Sequence, residues 1–146
     1  LKFGEQKRVF SKIPGLANAN FVKYGVMHRN TYINSTKLLD NTYNLKKNNN
    51  IFFAGQITGV EGYVESISSG FVAGINAVHK LRHEPQEIYD KNNVIGALAE
   101  YISTEKDDFE PMNANFGIMP ELPEKIKEKK ERYQKIADRS LQILQK

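Results

Sequence analysis

The stretch IFFAGQITGVEGYVESISSGFVAGINAVHKL, residues 51–81, decides the fold. It opens on an uninterrupted apolar run, which suits a short strand buried on both faces. Gly55, Gly59 and Gly62 follow, and then Val64, Ile67, Phe71, Ile75 and Val78 recur at intervals of three and four. That spacing predicts a helix from about Gly62 to Leu81, so the stretch reads as strand, glycine-rich turn and helix. Glycines allow a backbone to turn with positive φ and to approach a ligand closely, and the free N–H groups of a first helical turn attract negative charge. In open α/β sheets, ligands also collect beyond the carboxyl ends of strands. The spacing is not G-x-G-x-x-G, so the residues alone leave two readings open: a tight connection, or a phosphate, nucleotide or cofactor site. Gly70, Gly74 and Ala77 share one helical face and would let a neighbouring element pack closely.

Outward from this unit, residues 21–33 (FVKYGVMHRNTYI) are dense in β-branched and aromatic side chains and predict one strand, or two interrupted near Gly25. Residues 34–50 end in LKKNNN, turn chemistry for a hairpin or loop. Residues 1–20 read as a surface connection around Ile13-Pro14-Gly15. On the other side, 83–93 is a polar connection, NVIGALAEYIS a short amphipathic helix, and 110–123 an irregular segment packing through Met112, Phe116, Ile118 and Met119. From Pro123 onward the pattern predicts a single helix with a partial stripe of Ile126, Tyr133, Ile136, Leu141 and Leu144. The segments are therefore a strand-containing stretch at 1–50, a βα unit at 51–82 and a helical segment at 83–146.

The 146 residues include no cysteine, which excludes disulfides, a thiolate metal site and a thiol nucleophile within this stretch. A net charge of +4 is compatible with an anionic partner such as nucleic acid. No apolar run approaches the roughly 18 residues that cross a bilayer, and no signal-peptide pattern opens the chain, so a cytoplasmic protein is expected. The chain begins at Leu1 in mid-pattern, as a fragment of something longer would.

Gln56, Thr58, Glu61 and Tyr63 are the side chains of the glycine-rich turn. Glu61 and Glu65 are equally explained as first-turn carboxylates that favour a helix N-terminus. His28, Arg29 and Asn30 stand together inside an apolar pattern, either at a strand end reaching a cavity or where a strand meets solvent. Arg29 offers a fork for a carboxylate or phosphate. Among Asn113, Asn115 and Phe116, the ring could stack on a planar ligand or fill the core. The last helix alternates lysine with glutamate, so it is a solvated face or, through Lys127, Lys129, Lys130 and Arg132, an RNA contact.

The residues AGQITGVEGYVESISSGFVAGINA resemble the C-terminal flavin-binding segment of the Gid family. Their VEGYVES points to the branch of folate- and flavin-dependent tRNA uracil-C5 methyltransferases. FVKYGVMHRNTYINS (21–35), NANFGIMPELPEKIKEKKERY (113–133) and the opening LKFGEQKRVF extend the resemblance over nearly the whole chain. It implies the C-terminal third of a longer α/β protein, with an FAD-binding domain of the glutathione-reductase kind. In that scheme 1–50 links an inserted domain to the FAD domain, 51–82 is the flavin-binding βα unit, and 83–146 is a C-terminal helical segment.

The resemblance assigns FAD binding to Gly55, Gln56, Thr58, Gly59, Glu61, Gly62, Tyr63 and Val64. It assigns substrate contact to His28, Arg29, Asn30, Asn115 and Phe116. NAD(P)H and methylenetetrahydrofolate are the implied co-substrates and tRNA the implied partner, with neither metal nor membrane. The family's catalytic cysteines are missing here, so no catalytic residue is assigned and the fragment would not turn over alone. Gln56 stands where many related flavoproteins carry an acidic residue that binds the ribityl chain, and a neutral amide would make that contact. A strand edge left unpaired could promote self-association. Paralogous modification of a wobble uridine, a ribosomal RNA target, and a noncatalytic RNA- or protein-binding module are the alternatives.

Overall fold

The computed structural model of the chain describes residues 1–25 and 30–145. Five helices are seen among them: α1 (Phe3–Phe10), α2 (Ser35–Leu38), α3 (Tyr63–Leu81), α4 (Val94–Ser103) and α5 (Lys129–Leu144). A two-stranded antiparallel sheet, β1 (Asn44–Leu45) and β2 (Asn48–Phe52), sits between α2 and α3. The fold is thus mixed helix and small sheet.

The apolar run at residue 51 behaves differently from its expected buried parallel strand. Ile51 and Phe52 end a hairpin strand that pairs through Leu45↔Asn48 across Lys46–Lys47, and Asn48 to Ile51 are solvent-exposed. A parallel neighbour is what would bury both faces, and β1 is the only strand paired with β2 among the described residues. The turn chemistry of LKKNNN does produce a hairpin, although its asparagines join the strand instead of the loop.

The helix predicted over 62–81 forms as α3, but with the opposite side inward. Ser69, Val72, Ala73 and Asn76 are its buried residues. The stripe of Val64, Ile67 and Phe71 is 76%, 72% and 54% exposed. Gly70 and Gly74 lie on that uncovered side, and a methyl group on either would meet nothing within 4 Å. Periodicity identifies the helix; the partner that would cover its apolar stripe is not among the described residues.

The core is centred on α4. Leu98, Ala99 and Ile102 pack with Val72 and Ala73 of α3, with Leu39, Tyr43 and Val60, and with Phe109. Complete burial of a side chain such as Leu98 or Ile102 contributes about 1.5–3 kcal/mol. Asn93 caps α4 by accepting a bond from the Gly96 N–H at 2.8 Å. Asn76, fully buried on α3, holds the 83–93 connection with bonds to and from the backbone of Glu87 at 3.0 and 2.8 Å.

Two expectations at the amino end fail for local reasons. Residues 1–20 are not merely a connection, since α1 forms with a Glu5–Arg8 pair on its surface. The strand expected over 21–33 is absent from its described residues. Phe21 and Tyr24 instead stack at 5.8 Å, on Phe10 and Phe3 of α1 at 5.9 Å in each case. The Gln6 amide ties this satellite together by donating to the carbonyls of Leu1 and Gly25. Aromatic residues serve a ring cluster as readily as a strand, and helix α1 is nearer in sequence than any sheet partner.

At the other end, α5 starts at Lys129 and not near Pro123, because the Glu128 carboxylate caps the N–H groups of Lys130 and Glu131. Ile136 and Ser140 are its buried positions, with Ile136 in a second cluster alongside Ala97 and Met119. Leu141 and Leu144 of the expected stripe remain exposed.

Candidate functional site

The glycine-rich turn folds as a 3-10 turn, Gly55–Thr58, followed by an extended step into α3. Gly59 closes the turn with φ 84°, and Gly62 precedes α3 with φ 98° and ψ 152°, a conformation that side-chain-bearing residues rarely adopt. The space is equally restrictive. A methyl on Gly59 would overlap the ring of Phe109, and one on Gly62 would overlap the Glu65 carboxylate.

Several side-chain bonds hold the turn. Ser69 Oγ of α3 accepts the Gly55 N–H at 2.7 Å, Thr58 Oγ1 donates to the Gly55 carbonyl at 2.8 Å, and Ser35 Oγ donates to the Thr58 carbonyl. From the far side, residues 112–114 run beside the turn. The Met112 N–H donates to the Gly59 carbonyl, the Glu61 N–H to the Met112 carbonyl, and Val60 pairs with Met112 in a parallel bridge. The Glu65 carboxylate then accepts the Ala114 N–H at 3.0 Å.

The start of α3 is uncapped by any side chain. Its first bond runs from the Ser66 N–H to the Gly62 carbonyl, which leaves the N–H groups of Tyr63, Val64 and Glu65 without an acceptor among the described residues. A shallow cleft of about 350 Å³ opens there, lined by Asn30, Gln56, Glu61, Gly62, Tyr63, Ser66 and Asn113. Asn30 donates to Glu61 at 3.1 Å across it. Gln56 is exposed, and its amide bonds to no described residue.

The expected site residues therefore divide. Asn30, Gln56, Glu61, Gly62 and Tyr63 line one cleft, with Val64 exposed beside it. Gly55 and Gly59 shape the turn behind it, and Thr58 is fully buried with its hydroxyl bonded inside that turn. Asn115 caps the short turn Phe116–Ile118, accepting the Gly117 N–H at 2.8 Å, and Phe116 packs on Tyr133 in a separate groove. His28 and Arg29 lie outside the described residues.

Ser66, Ser69 and the 112–114 segment were not foreseen as parts of one arrangement. Ser66 and Ser69 could have been found as the i+4 and i+7 positions after the last turn glycine, on the side facing the turn. Nothing local in the sequence signals that residue 112 pairs with residue 60.

A glycine-shaped turn thus feeds an uncapped helix whose first residues line the cleft. The family model described as glucose inhibited division protein A matches residues 1–85. The chain belongs to this family. Curated relatives share the full stretch: a protein of Streptococcus suis is 59% identical over 99% of this chain, and one of Fusobacterium nucleatum 56% identical over 99%. One of Enterococcus faecalis is 57% identical over 98%. All three are named methylenetetrahydrofolate--tRNA-(uracil-5-)-methyltransferase TrmFO. The chain spans 33% of the length of each.

Proposed function

We propose that the chain is the C-terminal third of a flavoenzyme that methylates C5 of a uridine in tRNA, with methylenetetrahydrofolate as carbon donor. The observation that carries this is the uncapped start of α3 beside Gln56 and Glu61, in a chain 56–59% identical to proteins named for that reaction. The glutathione-reductase-like architecture and the use of NAD(P)H as reductant belong to the same proposal.

The residues present fit a flavin. Glycines at 59 and 62 supply the positive-φ turn that brings the start of α3 to the cleft, and the free N–H groups of Tyr63 and Val64 suit the carbonyl oxygens of a ring edge. Bound FAD would supply reducing equivalents for the carbon transfer. Gln56 would hold the ribityl chain or ring edge with an amide that both donates and accepts, adding no second negative charge. The partial positive charge at the start of α3 would contribute about 1 kcal/mol toward an electron-rich ring, and the adjoining Glu65 carboxylate offsets part of it. Glu61 would be oriented by Asn30, and Glu65 by the Ala114 N–H. The chain contains no cysteine, so a thiol that activates the uracil would come from elsewhere in the polypeptide.

The uncovered apolar stripe of α3 supports the assignment to a longer protein. Val64, Ile67, Phe71 and Leu81 form an exposed apolar face of the sort that folded monomers seldom leave to water. Purified full-length protein should carry flavin absorbance and transfer a methyl group to uridine of an unmodified tRNA transcript when given methylenetetrahydrofolate and NAD(P)H. Gln56→Ala should retain the fold and release flavin more readily. Colourless protein without methyl transfer would refute the proposal.

A further inference from the structure

Beside the cleft lies a second depression whose chemistry is different. Phe116 and Tyr133 pack against each other as a tilted pair, with ring centroids 4.5 Å apart and planes inclined by 31°. They stand in an open groove of about 560 Å³ between the Phe116–Ile118 turn and the start of α5, floored by Met119 and Ile136. Phe116 keeps 36% of its surface exposed, so the ring pair offers a free aromatic face.

Cations surround it. The ammonium of Lys129 and the guanidinium of Arg132 come within 5.4 and 5.5 Å of the Tyr133 ring centre, and Lys127 and Arg132 line the groove itself. Of the neighbouring carboxylates, Glu124 and Glu131 both face Lys135 and Glu128 caps α5, while Glu121, also on the groove wall, is exposed. Lys127, Lys129, Lys130 and Arg132 have no carboxylate partner among the described residues and are exposed. The alternation of lysine and glutamate on this helix thus cancels less than its sequence suggests, because its acids are spent on Lys135 and on the helix cap.

We infer that this groove is an RNA-binding surface, with Phe116 and Tyr133 stacking an unpaired base and Lys127, Lys130 and Arg132 holding the phosphates around it. An exposed aromatic pair ringed by unpaired cations is the combination that single-stranded or looped nucleic acid requires, and an acidic peptide would have no use for the rings. Position favours the same partner. Asn113 lines the cleft at α3 and Phe116 lines the groove, three positions apart, so the two sites are joined by about 11 Å of chain at most. RNA seated in the groove would present a neighbouring nucleotide at the cleft. The inference rests on the proposed function and adds the surface on which the RNA sits.

The test uses full-length protein and an unmodified tRNA transcript, with binding followed by fluorescence anisotropy over a series of salt concentrations. The triple variant Lys127→Ala/Lys130→Ala/Arg132→Ala removes only exposed side chains. It should keep its flavin absorbance and lose at least about tenfold in affinity at low salt. Its slope of log affinity against log salt should fall by about 2, since each lost phosphate contact removes roughly 0.7–0.9. Tyr133→Leu should weaken binding by about tenfold with the slope unchanged. If wild type binds the transcript and both variants match it in affinity and slope, the groove is not the RNA surface, while the proposed activity stands. If wild type carries no flavin and binds no transcript, the proposed function itself fails and the inference with it.

Discussion

Replacing Gly62 by alanine should destabilise the protein more than any other single methyl added at the start of α3. The backbone there has φ 98° and ψ 152°, a region all but closed to residues with a Cβ, and holding alanine in it costs about 1–3 kcal/mol. The new methyl would also collide with the Glu65 carboxylate. Glu65 is flexible and can swing aside, but doing so gives up its bond from the Ala114 N–H, worth about 1 kcal/mol. The sum is about 2–4 kcal/mol. With a urea m-value of about 2 kcal/mol/M for a chain of this size, the unfolding midpoint should drop by about 1–2 M. The two contributions separate in a double-mutant cycle: in Gly62→Ala/Glu65→Ala the collision is gone and the strain remains, so the cycle should return a coupling of about 1 kcal/mol. Urea titrations followed by circular dichroism provide the numbers. A Gly62→Ala midpoint within about 0.3 M of wild type would refute the claim that this glycine is required by backbone geometry.

Other consequences are open to the same assay. Asn76→Ala should cost about 1–3 kcal/mol, because it removes the two bonds by which a fully buried amide holds the Glu87 backbone, and with it the 83–93 connection, against α3. Gly96→Ala and Gly70→Ala should have opposite signs although both lie inside helices. A methyl at Gly96 would come within 2.5 Å of the Tyr89 carbonyl oxygen and should cost about 1–3 kcal/mol, whereas Gly70 faces open space and should gain about 0.5–1 kcal/mol. Equal effects would contradict the packing of α4 on residues 89–90. Burial raises the Tyr43 phenol above its ordinary pKa near 10. The unfolded chain therefore loses that proton first, and the stability from the neutral buried phenol is present below pH 10 and declines above it by about 1.4 kcal/mol per pH unit. Tyr43→Phe should remove that component from the alkaline limb of the stability profile, and an unchanged alkaline slope would rule Tyr43 out as its source.

The elements legible in the sequence were those specified locally. The 3.6-residue period announced α3 and α4, LKKNNN announced the hairpin turn, and the glycines at 59 and 62 announced a backbone that would turn through positive φ. Of the site, Gln56, Glu61, Gly62 and Tyr63 could be named because they occupy that one short turn, and Asn30 through the polar cluster in which it stands. The family resemblance was likewise carried by contiguous residues and extended over nearly all of the chain.

Tertiary structure decided which side of each element met a partner. The stripe of Val64, Ile67 and Phe71 marked α3 as amphipathic, yet the helix turned Ser69, Val72, Ala73 and Asn76 inward, since small and hydrogen-bonding residues fit against α4 and the glycine turn. The apolar run at 51–54 could not become a doubly buried strand when β1 is its only described partner. The pairing of Met112 with Val60, and the engagement of Glu124 and Glu131 by Lys135 that frees the cations around Tyr133, arise from residues distant in sequence or on separate turns. Local pattern records what one segment can do by itself. Which face is buried and which charge is left unpaired depend on what other segments bring to it, and that is settled only when the chain closes on itself.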